Sequence, residues 1–306
     1  MKLRKHCGVF YCRKTATLAS MKKHLPSLRI ATLGVCLFMM SSCNRKFRVW
    51  VGKDSQKIYN LQYGDHKRQK MDVFLPAEYP ADAPVVLMLH GGAWKYGKKE
   101  HMIHIQKMLF AHNIPTVNMN YRLASKEINY KNQLEDIAEA IRKFNSLAGK
   151  AELLPDNYIL LGESAGGHLA LLYGYRHPEQ VKKIISLSGP TDFYSETFLK
   201  SFYSKYTSGT VQTMVGVKLD RKNPAFDFQE ASPISQVSNV PTLFFQGNKD
   251  FLVHYRQALA LDSVLTEKNI PHKFIFMENT GHAPRFFNKT KRDSIIYPNI
   301  LEWIKK

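Results

Sequence analysis

Pro84-Val85-Val86-Leu87-Met88-Leu89 and Tyr158-Ile159-Leu160-Leu161 are unbroken apolar runs, too short for helices and long enough for strands buried on both faces. Ile114 to Met119, Ile184 to Leu187 and Leu243 to Gln246 read the same way, and His272 to Met277 alternates with period 2. Upstream, residues 47–51, 57–63 and 71–75 give three further short β patterns, expected to form the antiparallel start of the sheet. Between the strands lie helical stretches at Lys98 to Ala111, Gln133 to Phe144, Gly167 to Leu172, Tyr255 to Lys268 and Arg292 to Ile304. Leu134, Ile137, Ala138 and Ile141 recur at helical spacing and predict a core face. The last helix is expected to dock through Ile295, Ile296, Ile300 and Trp303. Strands alternating with helices predict an α/β protein, a mostly parallel sheet covered on both faces. About 260 residues suffice for one domain with a substantial core.

Two of the apolar runs end in glycine-rich turns. Tyr158 to Leu161 leads into Gly162-Glu163-Ser164-Ala165-Gly166, and a helical pattern follows at once. A strand that breaks into Gly-x-Ser-x-Gly forces the serine onto a very tight turn, beside the N-terminus of the next helix. A Cβ on either flanking glycine is expected to collide with the neighbouring strand or helix. Ser164 is therefore the candidate nucleophile. The second run, Pro84 to Leu89, breaks into His90-Gly91-Gly92-Ala93-Trp94. Consecutive glycines there let backbone N–H groups turn inward toward a developing oxyanion. Gly92, Ala93 and Ala165 are the expected donors.

An acid and a histidine should follow the nucleophile in that order. Asp250 sits in the loop Gly247-Asn248-Lys249-Asp250, just past the strand Leu243 to Gln246. His282 lies in Gly281-His282-Ala283-Pro284, past the strand His272 to Met277. Among the competitors, Asp192 comes too early, Asp220 and Asp227 fall in an irregular Lys/Arg-rich stretch, and Asp262 reads as mid-helix. His177, His254 and His272 read as surface groups, and His168 as a structural residue on the helix after Ser164.

With these residues in place, the chain resembles an α/β-hydrolase of the esterase/lipase group whose oxyanion loop begins His-Gly-Gly. Its pattern is closest to bacterial carbohydrate esterases of the acetylxylan and feruloyl type and to kynurenine formamidase-like enzymes. The resemblance is carried by Met71-Asp72-Val73-Phe74-Leu75-Pro76, His90 to Trp94, Asn118 to Ala124, Gly162 to Gly166, Ser232-Pro233-Ile234, Gly247 to Asp250 and Gly281-His282. It spans residue 57 to the C-terminus. It implies the α/β-hydrolase fold with a small cap insertion, a Ser164–His282–Asp250 triad and hydrolysis of short-acyl esters, on glycans among others. No cofactor or metal is implied. Ala93 stands where the hormone-sensitive-lipase-like enzymes carry glycine. Trp94 follows as in the formamidase-like branch and is a candidate pocket residue. Val253-His254 replaces a more usual Val-Pro, and the segment between Pro190 and Ser232 matches no motif. Amidase, formamidase or exopeptidase chemistry on the same triad is the alternative. A binding module on a decayed site is a third reading, disfavoured because every triad position is occupied.

The N-terminus reads separately. Ile30 to Met40 is apolar but too short to span a bilayer, with Lys22, Lys23 and Arg29 before it and Ser41-Ser42-Cys43 after it. This is the pattern of a secretory signal. Small-small-Cys resembles the bacterial lipobox, with Met40 where leucine is usual, and implies lipidation at Cys43. Met21 is a plausible alternative start. Residues 1–43 are then a signal, residues 44–56 a tether and 57–306 the hydrolase domain. The expected location is the periplasmic side of a bacterial envelope, anchored to the membrane through Cys43; a cleaved, soluble periplasmic protein is the second choice.

Composition changes this picture little. All four cysteines, Cys7, Cys12, Cys36 and Cys43, precede the hydrolase domain, which removes disulfides, thiol nucleophiles and Cys-ligated metals from it. Residues 1–43 carry 8 Lys and Arg and no Asp or Glu, which leaves 36 basic against 25 acidic groups, net +11. That excess favours anionic surfaces or polymers. The runs Lys67 to Lys70 and Lys289 to Arg292 read as solvated faces, and no nucleic-acid motif accompanies them. The histidines are scattered; His101 and His104 alone make no metal site.

Overall fold

The structure is a computed structural model and describes residues 48–50, 55–80, 82–148 and 156–306. The signal segment and Cys43 lie outside the described residues.

Nine strands form one sheet: β1 (Arg48–Trp50), β2 (Gln56–Gln62), β3 (Lys70–Leu75), β4 (Val85–Leu89), β5 (Thr116–Met119), β6 (Tyr158–Glu163), β7 (Val181–Leu187), β8 (Thr242–Gly247) and β9 (His272–Met277). Their spatial order is β1-β2-β3-β5-β4-β6-β7-β8-β9. The first three and the β3–β5 contact are antiparallel, and every other pairing is parallel. The antiparallel start follows the expectation. β1 falls inside the 44–56 stretch read as a tether, so the sheet begins before residue 57.

Period-2 side-chain alternation explains why both faces of the sheet are apolar. Along β4, Val85, Leu87 and Leu89 join one core cluster, while Val86 and Met88 join the other. The first cluster is covered by α2 (Tyr130–Ala148), α3 (Ala165–Arg176) and α7 (Arg256–Glu267), using Leu134, Ile137, Ile141, Leu169 and Leu261. The second is covered by α1 (Ile103–Ala111) and α8 (Tyr297–Lys305), through Ile105, Leu109, Ile300 and Ile304. The C-terminal helix thus docks through Ile296, Ile300 and Ile304. Ile295, expected on that face, is only half-buried, because a π-type turn at Arg292–Ile296 shifts the face ahead of α8.

The helix expected from Lys98 opens as a 3₁₀ turn at Lys99–Met102 before α1. Lys99 is buried, and its Nζ donates to Asp72 Oδ2 at 2.7 Å. This ion pair fastens the segment after the His-Gly-Gly turn to β3. Between β7 and β8 lie three helices, α4 (Glu196–Leu199), α5 (Phe202–Val215) and α6 (Phe226–Glu230). They occupy the 190–232 segment that matched no motif, and they roof the C-terminal end of the parallel strands.

Candidate active site

Ser164 stands between β6 and α3 at φ 54°, ψ −120°. A left-handed φ is strained for any residue with a Cβ, at about 1–3 kcal/mol. The local sequence makes it possible. A Cβ on Gly162 would run into the backbone of Gly166, and one on Gly166 into the carbonyl groups of Leu89 and His90. Both glycines thus let β6, β4 and α3 close up around the turn. Ser164 N–H donates to Leu187 O at 2.7 Å, which ties the turn to β7.

The three expected side chains meet. Ser164 Oγ lies 2.8 Å from His282 Nε2, and His282 Nδ1 lies 2.7 Å from Asp250 Oδ2. Read as a neutral imidazole, Nδ1–H donates to the carboxylate and Nε2 accepts from the hydroxyl. Asp250 is buried at 2% exposure, so its orientation is set by its neighbours. Its Oδ1 accepts from Leu252 N and Val253 N, both at 2.9 Å. Its Oδ2 also accepts from Gln246 Nε2 at 2.9 Å, and Gln246 donates again to Val253 O at 3.0 Å. Sequence reasoning missed Gln246, because a glutamine at the end of a strand carries no motif.

The competitors are spent elsewhere. Asp192 Oδ1 accepts from Tyr194 N and Ser195 N, and Asp220 accepts from Lys222 N. Asp262 faces His272, His177 faces Glu179, and Asp227 sits in the first turn of α6. His168 is fully buried and bridges: Trp94 Nε1 donates to its Nδ1 at 3.0 Å, and its Nε2–H donates to Ala231 O at 2.8 Å. Burial pushes its imidazole down to about 4.

The His-Gly-Gly turn runs beside the nucleophile, with Gly92 at φ 128°, Ala93 at 50° and Trp94 at 60°. Among the described residues, the N–H groups of Gly92, Ala93 and Ala165 have no intramolecular acceptor. Ala165 is buried and Gly92 and Ala93 half-buried, and Ala93 and Ala165 line the cavity at Ser164, so these donors are open to an acceptor there. The turn is braced from below. His90, held neutral with its pKa driven down to about 3 by burial, donates from Nδ1 to Gly91 O at 2.7 Å and stacks on Tyr121 at 4.3 Å. Tyr121 Oη donates to His90 O at 2.7 Å. Arg68 reaches in from the β2–β3 turn and donates to Gly97 O, Tyr121 O and His90 Nε2. The run Lys67 to Lys70 is therefore not a solvated face: Arg68 is half-buried on the turn and Gln69 is buried against Asp136. Lys291, in the other basic run, donates to Glu278 O and Thr280 Oγ1, the loop before His282.

A cavity of about 300 Å³ opens at Ser164, lined by Ala93, Trp94, Ala165, Phe193, Phe198 and Val211 among others. Trp94 forms part of this lining. Most of the remaining wall comes from the 190–232 helices and from Phe251 to Val253.

A nine-stranded sheet of this order, with a strained serine between β6 and α3 and an acid and histidine after later strands, defines an α/β-hydrolase. The chain belongs to the BD-FAE family, whose model matches residues 71–265. It is 26% identical over 147 residues to a kynurenine formamidase of Salmo salar, covering 45% of this chain and 47% of that protein. It is 25% identical over 213 residues to the esterase LipC of Mycobacterium tuberculosis, covering 64% of this chain and 52% of that one. The chain spans about half the length of these relatives. Among solved structures, a truncated carbohydrate esterase from gut microbiota superposes with a TM-score of 0.69 at 21% identity, over 85% of this chain and all of that one. Esterase B of Lactobacillus rhamnosis superposes with a TM-score of 0.66 at 18% identity, over 91% of this chain and 95% of that one. These likenesses define the fold.

Proposed function

We propose that this chain is a serine hydrolase that cleaves carboxylic esters of short acyl groups, glycan esters included, through an acyl-enzyme. The observation that carries it is the hydrogen-bonded series Ser164–His282–Asp250 beside unpaired backbone N–H groups. His282 Nε2 takes the Ser164 proton as Oγ attacks the carbonyl carbon, and Asp250 stabilises the resulting imidazolium. The oxyanion lies against the N–H groups of Ala165 and the Gly92-Ala93 turn, each worth roughly 3 kcal/mol in the transition state. The C–O bond then breaks and the alcohol leaves with the proton from His282. Water attacks the acyl-enzyme with His282 again as base, and Ser164 is regenerated.

The apolar pocket at Ser164 supports an acyl group of limited size. The relatives named as esterases and carbohydrate esterases support ester rather than amide substrates. The formamidase relative and Trp94 favour N-formyl amides as the second reading. A panel of p-nitrophenyl esters from C2 to C12, with a matched N-formyl arylamine, tests both. Short esters should be hydrolysed fastest, and Ser164→Ala should abolish turnover and fluorophosphonate labelling together. Retained hydrolysis by well-folded Ser164→Ala, or a strong preference for C8 and longer chains, overturns the proposal.

A further inference from the structure

The larger cavity of this molecule is not the one that holds Ser164. A space of about 790 Å³ lies next to the 300 Å³ pocket, and the two share Phe198, Phe202, Tyr203 and Gln257 as a common wall. Their remaining walls differ in chemistry. The pocket at Ser164 is walled largely by apolar groups. The larger space adds Tyr194, Thr197, Lys200, Ser235, His254 and Arg256.

Two open donors of that lining point to a ligand. Gln257 Oε1 accepts from Thr191 N at 2.8 Å and Asp192 N at 3.2 Å. Two backbone donors fix which end of the amide is oxygen, so the –NH₂ is the open end, and it has no acceptor among the described residues. His254 Nδ1 accepts from Arg256 N at 3.3 Å, which leaves Nε2–H free to donate. Burial and the neighbouring Arg256 charge hold His254 below the usual imidazole range, so the ring is a neutral donor.

Four charged groups line the cavity, Asp192, Glu196, Lys200 and Arg256, and three of them are already engaged. Lys200 pairs with Glu196, and Asp192 is committed to the N–H groups of Tyr194 and Ser195. Arg256, exposed at the start of α7, has no ion pair or side-chain hydrogen bond among the described residues. Arg256 is the one charged group of this lining without a side-chain partner among the described residues. Around it stand ring faces, with Tyr203 packed at 4.8 Å from His254, and the hydroxyls of Tyr194, Thr197 and Ser235. Open donors, hydroxyls and ring faces fit the hydroxyl-rich, flat-faced rings of sugars. A guanidinium without a partner fits a carboxylate, which it can take in bidentate form.

We infer that the larger cavity is a second substrate subsite that holds a sugar residue bearing a carboxylate, joined through the glycan to the residue whose ester sits at Ser164. Gln257 supplies an open amide donor in the wall that both compartments share. The inference rests on the ester-hydrolase reading and adds the acidic glycan to it.

The experiment compares two O-acetylated xylo-oligosaccharides, one with a single glucuronosyl branch and one without. The wild-type protein should show kcat/KM about ten-fold or more higher on the acidic one, the scale of one charge-assisted contact. Arg256→Gln should bring the ratio close to one, Arg256→Lys should leave it in between, and the thermal midpoint should be near wild type in both. Calorimetry on Ser164→Ala with the deacetylated acidic oligosaccharide gives a readout free of turnover: binding should be seen and should be lost with Arg256→Gln added. A wild-type ratio near one, or a ratio unmoved by Arg256→Gln, overturns the subsite. Hydrolysis of p-nitrophenyl acetate by the wild type is scored separately. Its absence sinks the ester-hydrolase reading, and the calorimetry then judges the subsite alone.

Discussion

Arg285 grips Glu163 from 122 residues away, Nη2 to Oε2 at 2.6 Å and Nε to Oε1 at 3.3 Å, with both side chains buried. Glu163 is the residue immediately before Ser164, and Arg285 lies three residues after His282. The pair therefore joins the end of the nucleophile strand to the loop that carries the base. Arg285 also donates to His101 O at 3.1 Å and stacks its guanidinium on Phe286 at 3.9 Å. A forked, nearly dry ion pair fixes geometry better than it adds stability, since desolvation offsets much of its attraction.

That distinction is measurable. Glu163→Ala should lower stability by about 3–5 kcal/mol, because it leaves Arg285 charged and unpaired. The apolar double variant Glu163→Leu with Arg285→Met should regain most of that stability. Its kcat on p-nitrophenyl acetate should nonetheless fall about ten-fold or more, as the Ser164–His282 distance is no longer held. Denaturant unfolding and steady-state kinetics on the three proteins check both halves; a double variant with wild-type kcat would make the pair purely structural.

Asp250→Asn keeps the shape of the acid and removes its charge. The amide would present Nδ2 or Oδ1 to Gln246, Val253 and His282, and cannot stabilise the imidazolium. A kcat loss of about 10⁴-fold is expected, the scale set by the same change in other serine triads. Gln246→Leu should act more mildly, about ten-fold, and mainly in kcat, because it loosens the carboxylate without neutralising it.

Acid should weaken the fold before it titrates most of the carboxylates. His90 and His168 are buried and neutral, with pKa values down to about 3 and about 4. The unfolded chain binds protons at these histidines near pH 6.5 while the folded one does not. Stability is therefore fully present above about pH 6.5 and falls as pH drops toward 4, by roughly 1.4 kcal/mol per pH unit for each histidine. Thermal midpoints measured from pH 7 to 4.5 should decline, and His168→Gln should show a shallower decline. A flat profile across that window would mean the two rings are protonated or exposed.

Cys43 lies outside the described residues, so its role stays a proposal drawn from the signal pattern. If it carries the lipid, Cys43→Ser should move the protein from the membrane fraction to the soluble one. A diacylglyceryl group with an N-acyl chain exceeds what stable anchoring needs. Retention in the membrane after that change would exclude anchoring through Cys43.

Local pattern was enough for the strands and for the three chemical positions. β4, β6 and β8 are short apolar runs, and a strand buried on both faces leaves no other trace in sequence. Ser164, Asp250 and His282 each sit in a glycine-marked turn after such a run, and a turn is decided by the few residues within it. What sequence could not show is which charged and polar side chains go inside. Arg68 stood in a basic run, Glu163 filled an unspecified position of the Gly-x-Ser-x-Gly turn, and Arg285 and Gln246 carried no motif. Arg68 and the Glu163–Arg285 pair are held by partners far along the chain, and a buried charge is tolerated only where its partner arrives; Gln246 turns inward onto Asp250, four residues on. The walls of both cavities follow the same rule. The 190–232 segment has no readable period, since α4 and α6 are about one turn long and the inward face of α5 is set by the sheet end it covers. Only folding brings Phe193, Phe198 and Gln257 around the space at Ser164 and Arg256 into the one beside it, and so only the tertiary structure decides what lies next to Ser164.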